Sequence, residues 1–143
     1  MKILIAEDDV TQLNRVKLYL QKWNYDLAEC RDGSKAWDII NSEDPPNILL
    51  LDWKMPGMSG ISICRSVRKM EKGGDFYIIL LTAKSTEESV SEGIETGADD
   101  FISKPFYPLD LKVRLLTAVK VIELRRKLSK AENALKEKGI SID

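Results

Sequence analysis

Five residues of this chain have the right types to do chemistry together: Glu7, Asp8, Asp52, Thr82 and Lys104. Each stands at the end of a short apolar run. Glu7 and Asp8 follow Ile3-Leu4-Ile5-Ala6, Asp52 closes Ile48-Leu49-Leu50-Leu51, Thr82 closes Ile78-Ile79-Leu80-Leu81, and Lys104 follows Phe101-Ile102-Ser103. Runs of this kind read as strands buried on both faces. If the strands are parallel, their carboxyl ends lie on one side, where open α/β sheets bind ligands. Three carboxylates would then crowd together and repel one another. A hard divalent cation relieves that; Mg²⁺ takes one or two carboxylates, several waters and a phosphate in octahedral geometry. Asp52 has two open roles there, metal ligand and nucleophile, because a carboxylate can accept a phosphoryl group as an acyl phosphate. Phosphoryl transfer needs mainly positioning and charge neutralisation, which the cation and the Lys104 ammonium would supply. The Thr82 hydroxyl can hydrogen-bond the phosphoryl group, and Ala83 is small enough to leave a path to Asp52. The chain has no histidine, which excludes a Ser-His-Asp triad, a Cys-His pair and a His-bound zinc.

The elements that must position these groups follow from pattern. Lys2 to Glu7 reads as a strand. Asp9 is a plausible N-cap for a helix with Gln12 at its third position and Leu13, Val16, Leu20 and Trp23 on one face. Tyr25 to Cys30 is a weaker, edge strand. A second helix carries Ala36, Ile39 and Ile40 until Asp44-Pro45-Pro46 stops it, and Asn47 to Asp52 is the central strand. A third helix carries Ile61, Cys64 and Val67 and ends at Gly73-Gly74. Phe76 to Leu81 is the fourth strand. The fourth helix, about Thr86 to Thr96, is poor: its core face offers little beyond Val90 and Ile94, and Gly93 costs about 1 kcal/mol against alanine. Phe101 to Ser103 is a short fifth strand. A final helix runs from about Leu109 to Lys138, near 45 Å at 1.5 Å per residue, so its last turns project beyond a small domain. Five strands alternating with five helices imply right-handed crossovers and a parallel sheet covered on both faces.

Four blocks in order carry a resemblance: Glu7-Asp8-Asp9, Asp52-Trp53-Lys54-Met55-Pro56-Gly57-Met58-Ser59-Gly60, Thr82-Ala83 and Lys104-Pro105-Phe106. Over about residues 1–120 the chain resembles the receiver domain of a two-component response regulator, of the chemotaxis-type, flavodoxin-like family. The resemblance implies a three-layer, doubly wound, five-stranded sheet of order 2-1-3-4-5. It implies phosphorylation of Asp52 by a histidine kinase or histidine phosphotransfer protein with Mg²⁺, in a phosphoacceptor that assists its own phosphorylation and dephosphorylation. By the family pattern Asp8 holds the metal directly and Glu7 through water, with Asp52 and the backbone carbonyl of Lys54 as further ligands. Of the three successive acids, Glu7 and Asp8 take the strand end because the apolar run stops at Ala6; Asp9 is better explained as the cap. A switch is also implied: phosphorylation draws in Thr82, and the aromatic on the fifth strand, here Phe101, moves behind it. Phe101 lacks the hydroxyl of the tyrosine often found there, so a readout through that hydroxyl is missing. The weakly anchored fourth helix fits such a switch.

The remainder of the sequence sets bounds. A length of 143 residues suits one domain with an appendage, expected as a receiver over 1–120 and a helical extension over 121–143. A net charge of −1 gives no electrostatic case for nucleic acid or an anionic membrane. No run suggests a signal peptide or a membrane span, which reads as a cytoplasmic protein. Cys30 and Cys64 lack metal spacing and read as reduced, buried thiols. Trp53 should report on metal binding by fluorescence, while Lys54 and Lys84 flank the site. Val121, Leu124, Leu128, Ala131 and Leu135 repeat at 3-4-3-4 spacing, a two-heptad seam that suits parallel dimerisation or a signalling helix into an absent output domain. In related proteins such a helix continues into a cyclic-dinucleotide synthase or phosphodiesterase, a phosphatase or a kinase, so the chain reads as an excised fragment or a short stand-alone regulator. Three rivals stand beside the receiver. An aspartate-nucleophile phosphohydrolase would place a second acid where Lys54 stands. A flavodoxin would need a hydroxyl- and glycine-rich first loop instead of Glu-Asp-Asp. A degenerate receiver used as a dimerisation scaffold would not need the intact acid set.

Overall fold

The computed structural model describes residues 1–83 and 87–139, with side chains given outside 84–88. Its elements are β1 (Lys2–Ala6), α1 (Val10–Lys22), β2 (Asp26–Cys30), α2 (Gly33–Ile40), β3 (Ile48–Asp52), α3 (Gly60–Arg68), β4 (Tyr77–Thr82), α4 (Glu87–Thr96), β5 (Asp100–Ser103) and α5 (Pro108–Glu137). All strand pairs are parallel, in the order β2-β1-β3-β4-β5. This is the expected doubly wound sheet, with β2 and β5 at its edges.

The period of two along each strand divides the core. Ile3, Ile5, Ile48, Leu50, Ile79 and Leu81 pack on one face against Leu13, Val16 and Leu20 of α1 and Leu111, Leu115 and Ala118 of α5. Leu4, Ala6, Leu49, Leu51, Ile78 and Leu80 pack on the other against Ala36 and Ile40 of α2 and Ile63, Cys64 and Val67 of α3. A central strand with both faces covered leaves no place for a polar side chain until the last residue, which is why Asp52 comes at the strand end. Asp9 caps α1, its Oδ1 accepting from Gln12 N at 3.0 Å. Both cysteines are free and buried. Among the described residues no helix is long and apolar enough to cross a membrane.

Two local expectations are corrected. First, α3 stops at Arg68, and Gly73-Gly74 instead opens a 3₁₀ turn over Gly73–Asp75. The cause is Arg68, whose Nη1 donates to the carbonyls of Gly73 (2.6 Å) and Phe76 (2.9 Å) and so fastens the turn beside the helix end. Second, α4 turns Ser89 and Gly93 inward and leaves Ile94 60% exposed. The Phe101 ring fills the space a Gly93 side chain would need, so the helix comes close to the sheet on its smallest residue. The final helix, α5, begins at Pro108, as expected, a position where a helix loses nothing by lacking an N–H. It runs unbroken past residue 120, with Ile122 buried against the sheet.

Candidate functional site

The parallel sheet places the ends of β1, β3, β4 and β5 side by side, and the expected groups meet there. Ligand oxygens of Glu7, Asp8 and Asp52 lie within 4.8 Å of one another. Glu7 is 1% exposed and Asp52 is buried, whereas Asp8 opens to solvent. Lys104 reaches across from the loop after β5. Its Nζ donates to Glu7 Oε1 at 2.7 Å and sits 2.9 Å from Asp52 Oδ1. Lys104 is held in turn by its own backbone, whose N–H donates to the Thr82 carbonyl at 2.9 Å, and by Phe106, buried two residues on under the Arg15 guanidinium.

Asp8, Asp52, Thr82 and Lys104, with Trp53, Lys54 and Ala83, line a recess of about 260 Å³, behind which Glu7 is buried. Asp52 and Lys104 form its charged floor and Asp8 its rim. Thr82 is buried at the end of β4, opposite Ser103 in register. Phe101 lies outside the recess, one strand over, against Leu80 and the backbone of α4. Lys84 falls outside the described residues. A larger cavity of about 490 Å³ lies at the opposite pole, between the Pro45-Pro46 loop and the Ile122–Lys130 stretch of α5. It is part of the seat of that helix and contains none of the five groups.

The electrostatics of the cluster fit a cation. Glu7 is raised from 4.5 to about 8, by burial first and by the adjoining Asp52 carboxylate second, with Lys104 pulling the other way. Lys104 is itself raised: burial opposes its charge, but the hydrogen bonds and charges of Glu7 and Asp52 outweigh that. One ammonium thus serves two buried carboxylates. Glu7 Oε2 is a buried oxygen without a hydrogen-bond partner, which costs free energy unless a proton shared with Asp52 or a cation satisfies it. Hard oxygen donors on one rim, with an open, solvent-facing side, suit a cation that keeps several waters.

Sequence reasoning missed one residue of the site. Gly60, the first residue of α3, donates its N–H to the Trp53 carbonyl at 3.0 Å, and a methyl there would run into the backbone carbonyl of Asp52. The only signal was its place at the end of the block that begins with Asp52; the close approach itself leaves no local pattern.

Comparison with known proteins places this geometry. The family described as response regulator receiver domain matches residues 3–116. The phosphate regulon transcriptional regulatory protein PhoB of Escherichia coli K12 is 33% identical over 142 residues, 99% of this chain. The chain spans 60% of that relative's length. The Francisella response regulator 1452 receiver domain superposes with a TM-score of 0.77 at 30% identity, over 83% of this chain and 96% of its own. The receiver domain of a Pseudomonas aeruginosa sensor histidine kinase, at 25% identity and TM-score 0.76 over 83% of this chain and 97% of its own, carries a magnesium ion coordinated in its active-site cleft. With the strand order, the strand-end cluster and the sequence match in agreement, the chain belongs to the response regulator receiver domain family.

Proposed function

We propose that Asp52 is the phosphoacceptor of a phosphorelay, receiving its phosphoryl group from a histidine kinase or histidine phosphotransfer protein. The observation that carries this reading is the placement of Asp52 at the floor of an open recess, 2.9 Å from Lys104 Nζ and within reach of two further acids. An Asp52 carboxylate oxygen attacks phosphorus, the bond from phosphorus to the donor nitrogen breaks, and the donor imidazole leaves with the electron pair and takes up a proton. The product is an acyl phosphate on Asp52. Lys104 holds Asp52 in position beforehand and faces the negative charge afterwards, and the Thr82 hydroxyl offers a hydrogen bond to a phosphoryl oxygen. Glu7, Asp8, Asp52 and the backbone carbonyl of Lys54 are the groups that would hold Mg²⁺, which neutralises phosphoryl charge when bound.

The consequence is a switch. Thr82 moves toward the phosphoryl group and Phe101 follows on the neighbouring strand, changing how α4 sits. With Ser89 and Gly93 as its inward residues, α4 buries little apolar area and has little to lose by shifting. The receiver comprises residues 1–120. The extension over 121–143 passes the signal on, through self-association of the helix or into an output domain.

The test is incubation with Mg²⁺ and acetyl phosphate, followed by intact mass and Trp53 fluorescence. A single Mg²⁺-dependent phosphoryl adduct, lost in Asp52→Asn, is the expected outcome. Multiple turnover of p-nitrophenyl phosphate would replace this reading with a phosphohydrolase.

A further inference from the structure

We propose that the cavity at the amino-terminal edge of the sheet, at the pole opposite Asp52, is an effector site for a nucleoside diphosphate. The cavity of about 490 Å³ lies between the segments that enter β3 and β4 and the Ile122–Lys130 stretch of α5. That volume is within the range of about 300–1,000 Å³ that small-molecule sites span.

Charge is the first observation. The lining carries Lys72, Arg125, Arg126 and Lys130 against the single carboxylate of Asp75. Three positive charges are left over there, in a chain whose net charge is −1. Helix geometry gathers them: Ile122, Arg125, Arg126, Ser129 and Lys130 recur at three- and four-residue steps, so the face that α5 buries on the sheet continues past the sheet's edge and turns polar. Lys72, Arg126 and Lys130 enter no ion pair among the described residues. Arg125 is bound but not neutralised. Its Nη2 donates to Asp99 Oδ1 at 2.9 Å, while Arg68 Nη2 donates to Asp99 Oδ2 at 2.7 Å. In this clamp one carboxylate serves two guanidinium groups, so counting Arg68 and Asp99 behind the wall leaves the surplus at three. Arg68 also donates to the carbonyls of Gly73, Phe76 and Gly97 at 2.6–2.9 Å. Arg125 reaches the carbonyls of Gly74 and Phe76 only at 3.4 Å, long for an N–H donor. It is the guanidinium with donors to spare for an anion.

The surplus and the walls together choose the ligand. A nucleoside diphosphate carries about three negative charges at neutral pH, and guanidinium forks bind phosphate oxygens in pairs. Pro45, Pro46 and the accessible parts of Phe76 and Ile122 supply an apolar wall. Such a wall suits a planar base, on which arginine planes also stack. The Asp75 carboxylate, in no ion pair among the described residues, and the Ser129 hydroxyl are placed to meet ribose hydroxyls. A long polyanion fits less well. The residues that adjoin the lining are exposed acids, Glu43 and Asp44 ahead of Pro45 and Glu71 ahead of Lys72. They repel a strand of phosphates leaving the recess and spare a small anion seated within it.

Isothermal titration of the full chain in low-salt buffer with EDTA tests this; the chelator keeps metal from carrying nucleotide to the acid cluster. ADP or GDP should bind saturably, one to one, and about tenfold or more tighter than pyrophosphate, which has the charge without the base. Arg126→Gln with Lys130→Gln should weaken binding about tenfold or more, the scale of losing charge-assisted hydrogen bonds. Ser129→Trp fills the recess while leaving every charge in place, and should abolish binding. These α5 positions are exposed, so circular dichroism should show unchanged helix content. Lys120→Gln, on the same helix but outside the lining, and Asp52→Asn should both leave binding as it was. Absence of saturable binding by ADP and GDP would overturn the proposal. So would pyrophosphate binding as tightly as both, affinity indifferent to Ser129→Trp, or loss of binding in Asp52→Asn. An acidic peptide or a DNA duplex that binds this face and is not displaced by ADP would put a macromolecule in the nucleotide's place.

Discussion

Replacing Glu7 by glutamine should remove most of the pH dependence of stability that this site creates. Glu7 is 1% exposed, and burial first, then Asp52, raise its carboxyl from 4.5 to about 8. A raised acid pKa means that the folded state holds the proton more tightly than the unfolded chain. The associated stability is fully present below about pH 4.5 and is lost as pH rises through about 8. At about 1.36 kcal/mol per unit, the metal-free protein loses about 3 kcal/mol from this group by pH 7 and approaches a loss of about 5 kcal/mol above pH 8. Glutamine does not titrate, yet its carbonyl can still accept from Lys104, so the hydrogen bond now 2.7 Å long has a replacement. Urea denaturation in EDTA, followed by circular dichroism at several pH values from about 5 to 9, measures the difference between the two proteins. Glu7→Gln should be the more stable near neutrality, with the gap closing toward pH 5. Mg²⁺ should narrow the gap from the other end, since a cation at the acid cluster replaces the proton and stabilises only the protein that binds it. Parallel pH profiles for the two proteins would refute the reasoning, because Glu7 would then be titrating as it does in the unfolded chain.

Other consequences follow from the same geometry. Lys104→Met strips the ammonium from the buried Asp52 carboxylate, while Glu7, already raised to about 8 and held down only by Lys104, takes up a proton; breaking the Lys104–Asp52 pair by removing one partner costs about 3–5 kcal/mol, read as a lower urea midpoint in metal-free buffer at pH 8, and a loss under about 1 kcal/mol would show that Lys104 does not compensate a buried charge. Gly60→Ala drives a methyl into the Asp52 backbone, which cannot give way as a side chain can, so a loss at the upper end of about 1–3 kcal/mol together with a weakened Mg²⁺ response of Trp53 fluorescence is expected. Gly93→Ala meets the edge of the Phe101 ring instead; the ring can turn aside and alanine favours helix by about 1 kcal/mol, so stability should change by less than about 1 kcal/mol while the aromatic resonances of Phe101 move in an NMR spectrum. A loss above about 3 kcal/mol with those resonances unmoved would mean that the ring is locked in place.

Much of the architecture was legible in the chain because strand and helix periodicities are local. The run Ile48 to Leu51 says by composition alone that both faces are covered, and the acid that follows says where the cover ends. The alternation of such runs with helical segments set the parallel topology, and with it the convergence of Glu7, Asp8, Asp52, Thr82 and Lys104 on one edge. Asp9 was separable from its two neighbours because a cap has its own sequence signature. The fourth helix was legible as weak but not in its orientation: Ile94 looked like its anchor, and only the packed structure turns Ile94 outward and presents Gly93 to Phe101.

What tertiary structure decided is everything that depends on atoms brought together from distant positions, or on atoms that are absent. The ion pair between Lys104 and Glu7 joins residues 97 apart in sequence, and one ammonium shared by two buried carboxylates is a matter of distance, not of composition. The Arg68–Asp99–Arg125 clamp draws on α3, the turn before β5 and α5; no window of sequence contains it. Gly60 and Gly93 matter for the side chain they lack, and a missing atom has meaning only beside the neighbour that would strike it. The sequence by itself determined which groups reach the carboxyl edge of the sheet, because hydrophobic burial fixes strands one at a time. Their charges and contacts were decided only when the strands lay side by side, because electrostatics and close packing act through space.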